Sequence, residues 1–377
     1  MRKLVFFLVI VQSTALYAQP RGTFTPTGDM TTPRSQHTAT LLKDGTVLIT
    51  GGYTGNRIVA SAELYDPASG KFQRIGDMDF ARREHSATLL PDGRVLIAGG
   101  FGETVLELSE TEIYDPATRS FAPAAPLLQA QGCHSATLLD NGEVLIAGGW
   151  LPGPATASAE LFDPATGRFS PAAGYAQRQS LFGGPICPTA TLLQDGRVLL
   201  LAENPAEIYD PASDTFTATA KMVEQVYSGG VEMQSAAALR DGTVLMTGGN
   251  DENICGGFRN AEVFDPFSGA FRAVAPMAAG RDLHTSTTLD DGFVLLAGGA
   301  GGCGTSTLDT AELYDPVTHT FIDAGKMTHS RSDHTATLLR DGSVLIAGGA
   351  YWQGGSYASA ELYRPFMPSG RRRAVRR

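Results

Sequence analysis

Charge and aromatic side chains are both thin in this sequence. Asp, Glu, Lys and Arg make up 18% of its 377 residues, Phe, Tyr and Trp 8%, and there are two tryptophans. Hydrophobic residues nonetheless reach 42%, which excludes a disordered polyelectrolyte. Long apolar runs are missing: the stretch from Leu4 to Val11 holds eight residues, too few to span a bilayer. Excess positive charge is missing from the body too. With Arg2, Lys3 and five C-terminal arginines set aside, 22 basic residues face 39 acidic ones, which argues against a nucleic-acid partner. Helical periodicity is absent. What is abundant is glycine, 44 residues without the every-third spacing of collagen.

The N-terminus reads as a targeting segment. Arg2 and Lys3 precede the apolar run, and Ser13, Thr14, Ala15 and Ala18 supply small residues before Gln19. Residues 1–18 are therefore expected to be a signal peptide, with no cysteine at the junction to carry a lipid anchor. The mature chain is expected in the periplasm or the medium, without a stable membrane anchor and as a monomer. At the other end, Arg371–Arg373, Arg376 and Arg377 follow Pro368-Ser369-Gly370, and residues 367–377 read as a disordered basic tail.

Between them the chain repeats itself. A turn dipeptide followed by an apolar run and, in all but the fourth unit, two glycines begins at Asp44, Asp92, Asn141, Asp195, Asp241, Asp291 and Asp341, at intervals of 48, 49, 54, 46, 50 and 50 residues. Each unit parses into four strands. In the first, His37-Thr38-Ala39-Thr40-Leu41-Leu42 is strand a and Val47-Leu48-Ile49-Thr50 strand b, joined by an Asp-Gly turn expected to be a type I′ hairpin. Strand b is continuously apolar, so both its faces should be buried. Strand c is Ala-Glu-Leu-Tyr-Asp-Pro from Ala62, recurring near-identically at 111, 159, 206, 261, 311 and 360. A phenylalanine five residues past most of these prolines opens strand d.

Four strands per roughly 50 residues match a propeller blade. The segment Phe24 to Met30 aligns with Phe72 to Met78 and so is a strand d with no a, b or c before it, while the last unit ends near Tyr363-Arg364-Pro365 without one. The fold expected is an all-β, seven-bladed propeller over residues 19–366, closed by its N-terminal strand. On these repeats the chain resembles a bacterial kelch-repeat protein, similar in fold to the propeller of galactose oxidase.

That resemblance implies a fold more than a chemistry. The galactose oxidase family holds copper with two Tyr and two His, one Tyr cross-linked to Cys, and its Tyr-His dipeptide does not occur here. A sialidase-type Asp box, His-Glu-x-x-His and a phosphate-cradling glycine loop are also absent. Five of the seven histidines are themselves repeat residues. Arg-x-x-His opens strand a at Arg34/His37, Arg82/His85, Arg281/His284 and Arg331/His334, and His134 keeps the histidine alone. A glutamate recurs in every strand c. Residues that follow the symmetry answer a need common to all blades, so the expected role is structural, a buried Glu finding its donors in Arg, His or backbone N–H groups.

Four cysteines in an exported chain admit three connectivities. Neighbouring-blade placement favours Cys133–Cys187 and Cys255–Cys303, with free buried thiols as the other reading. Symmetry breaks in units four and five. The d–a connection, 13 residues from Phe to His elsewhere, is 19 from Phe169 to Pro188 and 18 from Phe216 to Gln234. The insertions carry Tyr175, Arg178, Gln179, Glu224, Tyr227 and Glu232; in unit four Glu203 and Asn204 stand where the glycine pair is lost. Together with Trp150, on the same d–a/b–c loop face, these residues are the expected ligand contacts. The function expected is a non-catalytic platform for a protein or glycan, without metal or cofactor. The alternative is a galactose oxidase-like or other carbohydrate-directed enzyme.

Overall fold

Seven four-stranded antiparallel sheets make up a computed structural model of the chain. The structure describes residues 21–104, 106–150, 159–173, 187–201, 205–223, 234–250, 257–301, 306–351 and 353–366. Blade 1 is Thr38–Leu41, Val47–Thr50, Ala62–Asp66 and Lys71–Arg74, paired in that order, and the next five blades repeat the pattern. Each strand a packs against the strand a of the blades on either side, and the seven close into a ring from Thr38–Leu41 round to Thr335–Leu338. The innermost strands therefore line a central axis.

Closure is as the sequence pattern implies. Gly22–Pro26 pairs antiparallel with Ala360–Pro365, Phe24 opposite Tyr363 and Pro26 opposite Glu361. The first strand thus completes the last blade. Phe24 and Tyr363 stack with ring centroids 4.9 Å apart, as Tyr65 and Phe72 do at 4.7 Å in blade 1. Phe24 is half-buried rather than enclosed, because strand d is the outer edge of every blade.

Strand b explains the core. Every residue of Val47–Thr50, Val95–Ala98, Val144–Ala147 and their counterparts is buried. Successive side chains point to opposite faces, and here each face meets a different neighbour. Leu48 packs with Val95, Ile97 and Tyr114 of blade 2, whereas Val47 and Ile49 pack with Leu345, Ala347 and Leu362 of blade 7. Seven such clusters fill the seven junctions between blades, each large side chain contributing roughly 1.5–3 kcal/mol.

The a–b turn departs from the type I′ expectation. Only the glycine has positive φ, 92° at Gly45, and its N–H bonds Leu42 O at 3.0 Å while Leu42 N bonds Thr46 O at 2.8 Å. This is a three-residue loop, a type I turn followed by a left-handed glycine. Asp44 serves it by accepting the Thr46 N–H on Oδ1 at 2.9 Å. Aspartate needs no positive φ for that.

Candidate functional site

At the end of the axis where strands a begin, the repeated polar residues are all engaged in holding the ring. Arg34 and Glu63 pair at 2.8 Å, both fully buried, and Arg34 also donates to Gly51 O and Ser61 O at 2.7 and 2.9 Å. Glu63 accepts the N–H groups of Thr31 and Thr32, so one ion pair clips the d–a loop to the b–c loop. Arg82–Glu112, Arg281–Glu312 and Arg331–Glu361 repeat it at 2.9, 2.7 and 3.1 Å. In blade 3 Gln131 stands in the arginine's place, and Glu160, left with the Leu128 and Gln129 N–H groups, has its carboxyl raised by burial. Replacing Arg82 with Met strands Glu112 in the core and is expected to cost ~3–5 kcal/mol in denaturant unfolding; a change below about 1 kcal/mol would show that the pair is dispensable.

The histidines bridge blades. His85 Nε2 lies 3.1 Å from Thr38 Oγ1 and 3.0 Å from Thr50 Oγ1 of blade 1, and His37, His134, His284 and His334 reach Thr335, Ser86, Thr247 and Thr285 of their preceding blades at 2.8–3.1 Å. Burial holds all five below their ordinary pKa, His134 at about 4 and His284 and His334 at about 3, so they are neutral. The glycine pair exists to seat them. A Cβ on Gly51 would come within 2.4 Å of Arg82 O and 2.7 Å of His85 Cε1; one on Gly52 would come within 2.7 Å of Ser35 O and 2.9 Å of His37 Cβ. Where unit four lacks the glycines, blade 5, whose histidine they would seat, carries Gln234; blade 4 loses its histidine to Pro188 although Gly148 and Gly149 are kept.

The residue before each histidine faces the axis. Gln36, Glu84, Cys133, Leu283 and Asp333 all adopt φ between 49° and 58°. Their backbones form a belt: Asp333 N bonds Leu283 O, Gln36 N bonds Asp333 O, Glu84 N bonds Gln36 O and Cys133 N bonds Glu84 O, at 2.9–3.2 Å. The Cys133–Cys187 disulfide, with Cα atoms 5.0 Å apart, carries the belt covalently into blade 4, where Pro188 replaces the histidine.

Inside this belt is a cavity of about 770 Å³ to which every blade contributes. Its lining includes the five histidines, Gln36, Arg83, Glu84, Phe101, Leu106, Trp150, Leu283, Asp333 and the disulfide. Phe101 and Trp150 hold one register position, just past the glycine pair, through paired backbone bonds to Arg83 and Gly132. Arg83 donates to Gln36 Oε1 and Glu84 Oε1 at 2.7 and 2.8 Å and lies 5.3 Å from the Phe101 ring centre. Asp333 is pushed up to about 7 by burial, reinforced by the like charges of Glu84 and Asp282. Burial likewise raises Glu84 and Asp282.

Of the residues expected from sequence, Trp150, Cys133 and Cys187 come together here, and the expected Cys133–Cys187 bridge is formed. Tyr175, Arg178, Gln179, Glu203, Asn204, Glu224, Tyr227, Glu232, Cys255 and Cys303 lie outside the described residues. Sequence reasoning missed Arg83, Glu84, Phe101 and Asp333. Their signal was present: they occupy fixed register positions, before the histidine or after the glycines, yet differ from blade to blade.

A kelch motif model matches residues 33–79, the end of the d–a loop and all of blade 1. This is a seven-bladed propeller carrying a kelch motif. No curated protein matches the sequence. Among solved structures the propeller is similar to a fungal alcohol oxidase of the AA5 family in complex with copper, at 18% identity and a TM-score of 0.74, over 92% of this chain and 76% of that one. The likeness is one of fold. The residues here do not suit a copper held by two Tyr and two His. Among the described residues no tyrosine lines the cavity, the axial histidines sit on neighbouring hydroxyls, and the one cluster with ligand spacing is Glu84 with two sulfurs already joined to each other.

Proposed function

We propose that this kelch propeller is an exported, non-catalytic binding protein that takes its ligand in the axial cavity on the d–a/b–c face. One observation carries the reading. Repeated Arg, His and Glu side chains link strands and loops within and between blades, while the residues that differ between blades, Arg83, Glu84, Phe101, Trp150 and Asp333, converge on a cavity of ligand size. The leader-like residues 1–18 and the disulfide support an oxidising compartment. Residues 19–377 screened on glycan and peptide arrays should give a ligand whose affinity falls at least tenfold in Trp150→Ala, with melting temperature unchanged. A ligand indifferent to Trp150→Ala would place binding elsewhere. The second reading, an oxidase, has the fold likeness behind it and the donor set of the cavity against it; stoichiometric copper with peroxide release on sugars or alcohols would favour it.

A further inference from the structure

The charge of the cavity singles out its ligand, an inference that rests on the binding reading above. Among the described residues Glu84 and Asp333 line it with a single guanidinium, Arg83, which is already engaged with Gln36 and Glu84. The five lining histidines are uncharged. Among the described residues Asp333 makes no ion pair, and the hydrogen bond Ser332 Oγ donates to it is 3.5 Å long. Asp282, 7% exposed, keeps its Oδ1 without a hydrogen-bond partner and adds like charge to Asp333. Enclosed carboxylates left with such an excess call for a cation. The cavity, at about 770 Å³, is far larger than a bare metal ion requires. Thr189 and Gln234 add two uncharged polar groups, and Leu106, Phe101, Trp150 and Leu283 give the lining an apolar part. A methylene stem with a charged tip meets both demands, whereas the hydroxyls of an amino sugar would be desolvated against these side chains.

We propose that the cavity receives a lysine or arginine side chain of a partner protein, its cationic head on Asp333 and Glu84 and its stem beside Trp150. The probe is acetyl-Gly-Lys-Gly-amide, compared with its Nε-acetylated form by calorimetry on residues 19–377. The free amine should bind, and acetylation should weaken binding at least tenfold. Lysine stays charged below about pH 10. Asp333, faced by Glu84, Asp282, Arg83, Ser332 and the neutral histidines, ionises around pH 7, so affinity should rise severalfold from pH 5.5 to 8.5. Asp333→Asn, with melting temperature as control, should lose affinity at least tenfold and flatten that profile; Glu84→Gln should weaken binding as a second variant. Equal binding of the acetylated peptide, or no binding of the amine, overturns the proposal. Binding of a glucosamine oligomer in place of the peptide overturns the protein source. A neutral ligand that needs Trp150 would leave the cavity reading standing while the cationic one falls.

Discussion

Deleting residues 19–31 should destabilise the entire ring, not only its last blade. The segment supplies Gly22–Pro26, whose five-residue register with Ala360–Pro365 satisfies the outer side of strand c in blade 7. Tyr363 would lose Phe24, and the seam between blades 6 and 7, where Tyr363 packs with Leu295, Leu313, Val344 and Ile346, would open to water. The same deletion removes Met30 from the seam between blades 7 and 1. Both junctions of one blade are damaged together, and among the described residues no disulfide ties blade 7 to blade 1. Phe24→Ala should alone cost ~2–4 kcal/mol, somewhat under the usual figure for an enclosed phenylalanine because Phe24 is half-buried. Phe121→Ala, in the same stack on Tyr114 at 5.0 Å in blade 2, is the control. Removing residues 368–377 should leave the melting temperature where it was. If the N-terminal deletion melted like the full chain while Phe121→Ala was costly, the first strand would not be closing the ring.

Why the fold was so legible follows from its repetition. A single apolar run such as Val47–Thr50 reads equally as a buried strand or part of a helix. Seven copies at a spacing near 50 residues, each after an Asp-Gly or Asn-Gly turn and six of them before a glycine pair, remove the ambiguity, and the unpaired Phe24–Met30 then locates the closure. The turn type was not legible, because Asp-Gly suits two loops and only φ at Asp44 separates them.

The site was legible only in part, for the opposite reason. Loop length drew attention to units four and five, whereas the charged residues of the cavity, Arg83, Glu84 and Asp333, stand in connections of the ordinary 13-residue length. Glu84, Cys133 and Asp333 stand at one register position, and only the ring geometry shows that this position faces the axis. Trp150 was found as an aromatic on the correct face, without its tie to Gly132. The repeated histidines suggested chemistry by residue type; their contacts with neighbouring threonines and serines show cohesion instead.

Those histidines should make the ring acid-labile well above the range of ordinary carboxylate titration. In the unfolded chain each binds a proton from about pH 6.5 downward. In the fold His134 does so only near 4, His284 and His334 near 3, and His37 and His85 are also held well down. The unfolded state therefore binds more protons throughout the interval, and stability falls as pH drops from about 6.5 towards 4. For His134, His284 and His334 each shift corresponds to roughly 3 kcal/mol or more once the window is crossed, at about 1.4 kcal/mol per pH unit. The raised carboxyls of Glu84, Glu160, Asp282 and Asp333 act in the opposite sense, since protonating them favours the fold. Five histidines held below their ordinary pKa, three of them at about 3 to 4, outweigh them. Urea unfolding at pH 7.5, 6.0, 5.0 and 4.5 should show a steady loss of several kcal/mol across the series. His284→Gln with His334→Gln, borrowing the residue that blade 5 carries at Gln234, should start less stable at pH 7.5 yet lose less on acidification. A profile flat to pH 4.5, or a double variant with the full acid slope, would mean that the histidines are not held neutral by the ring.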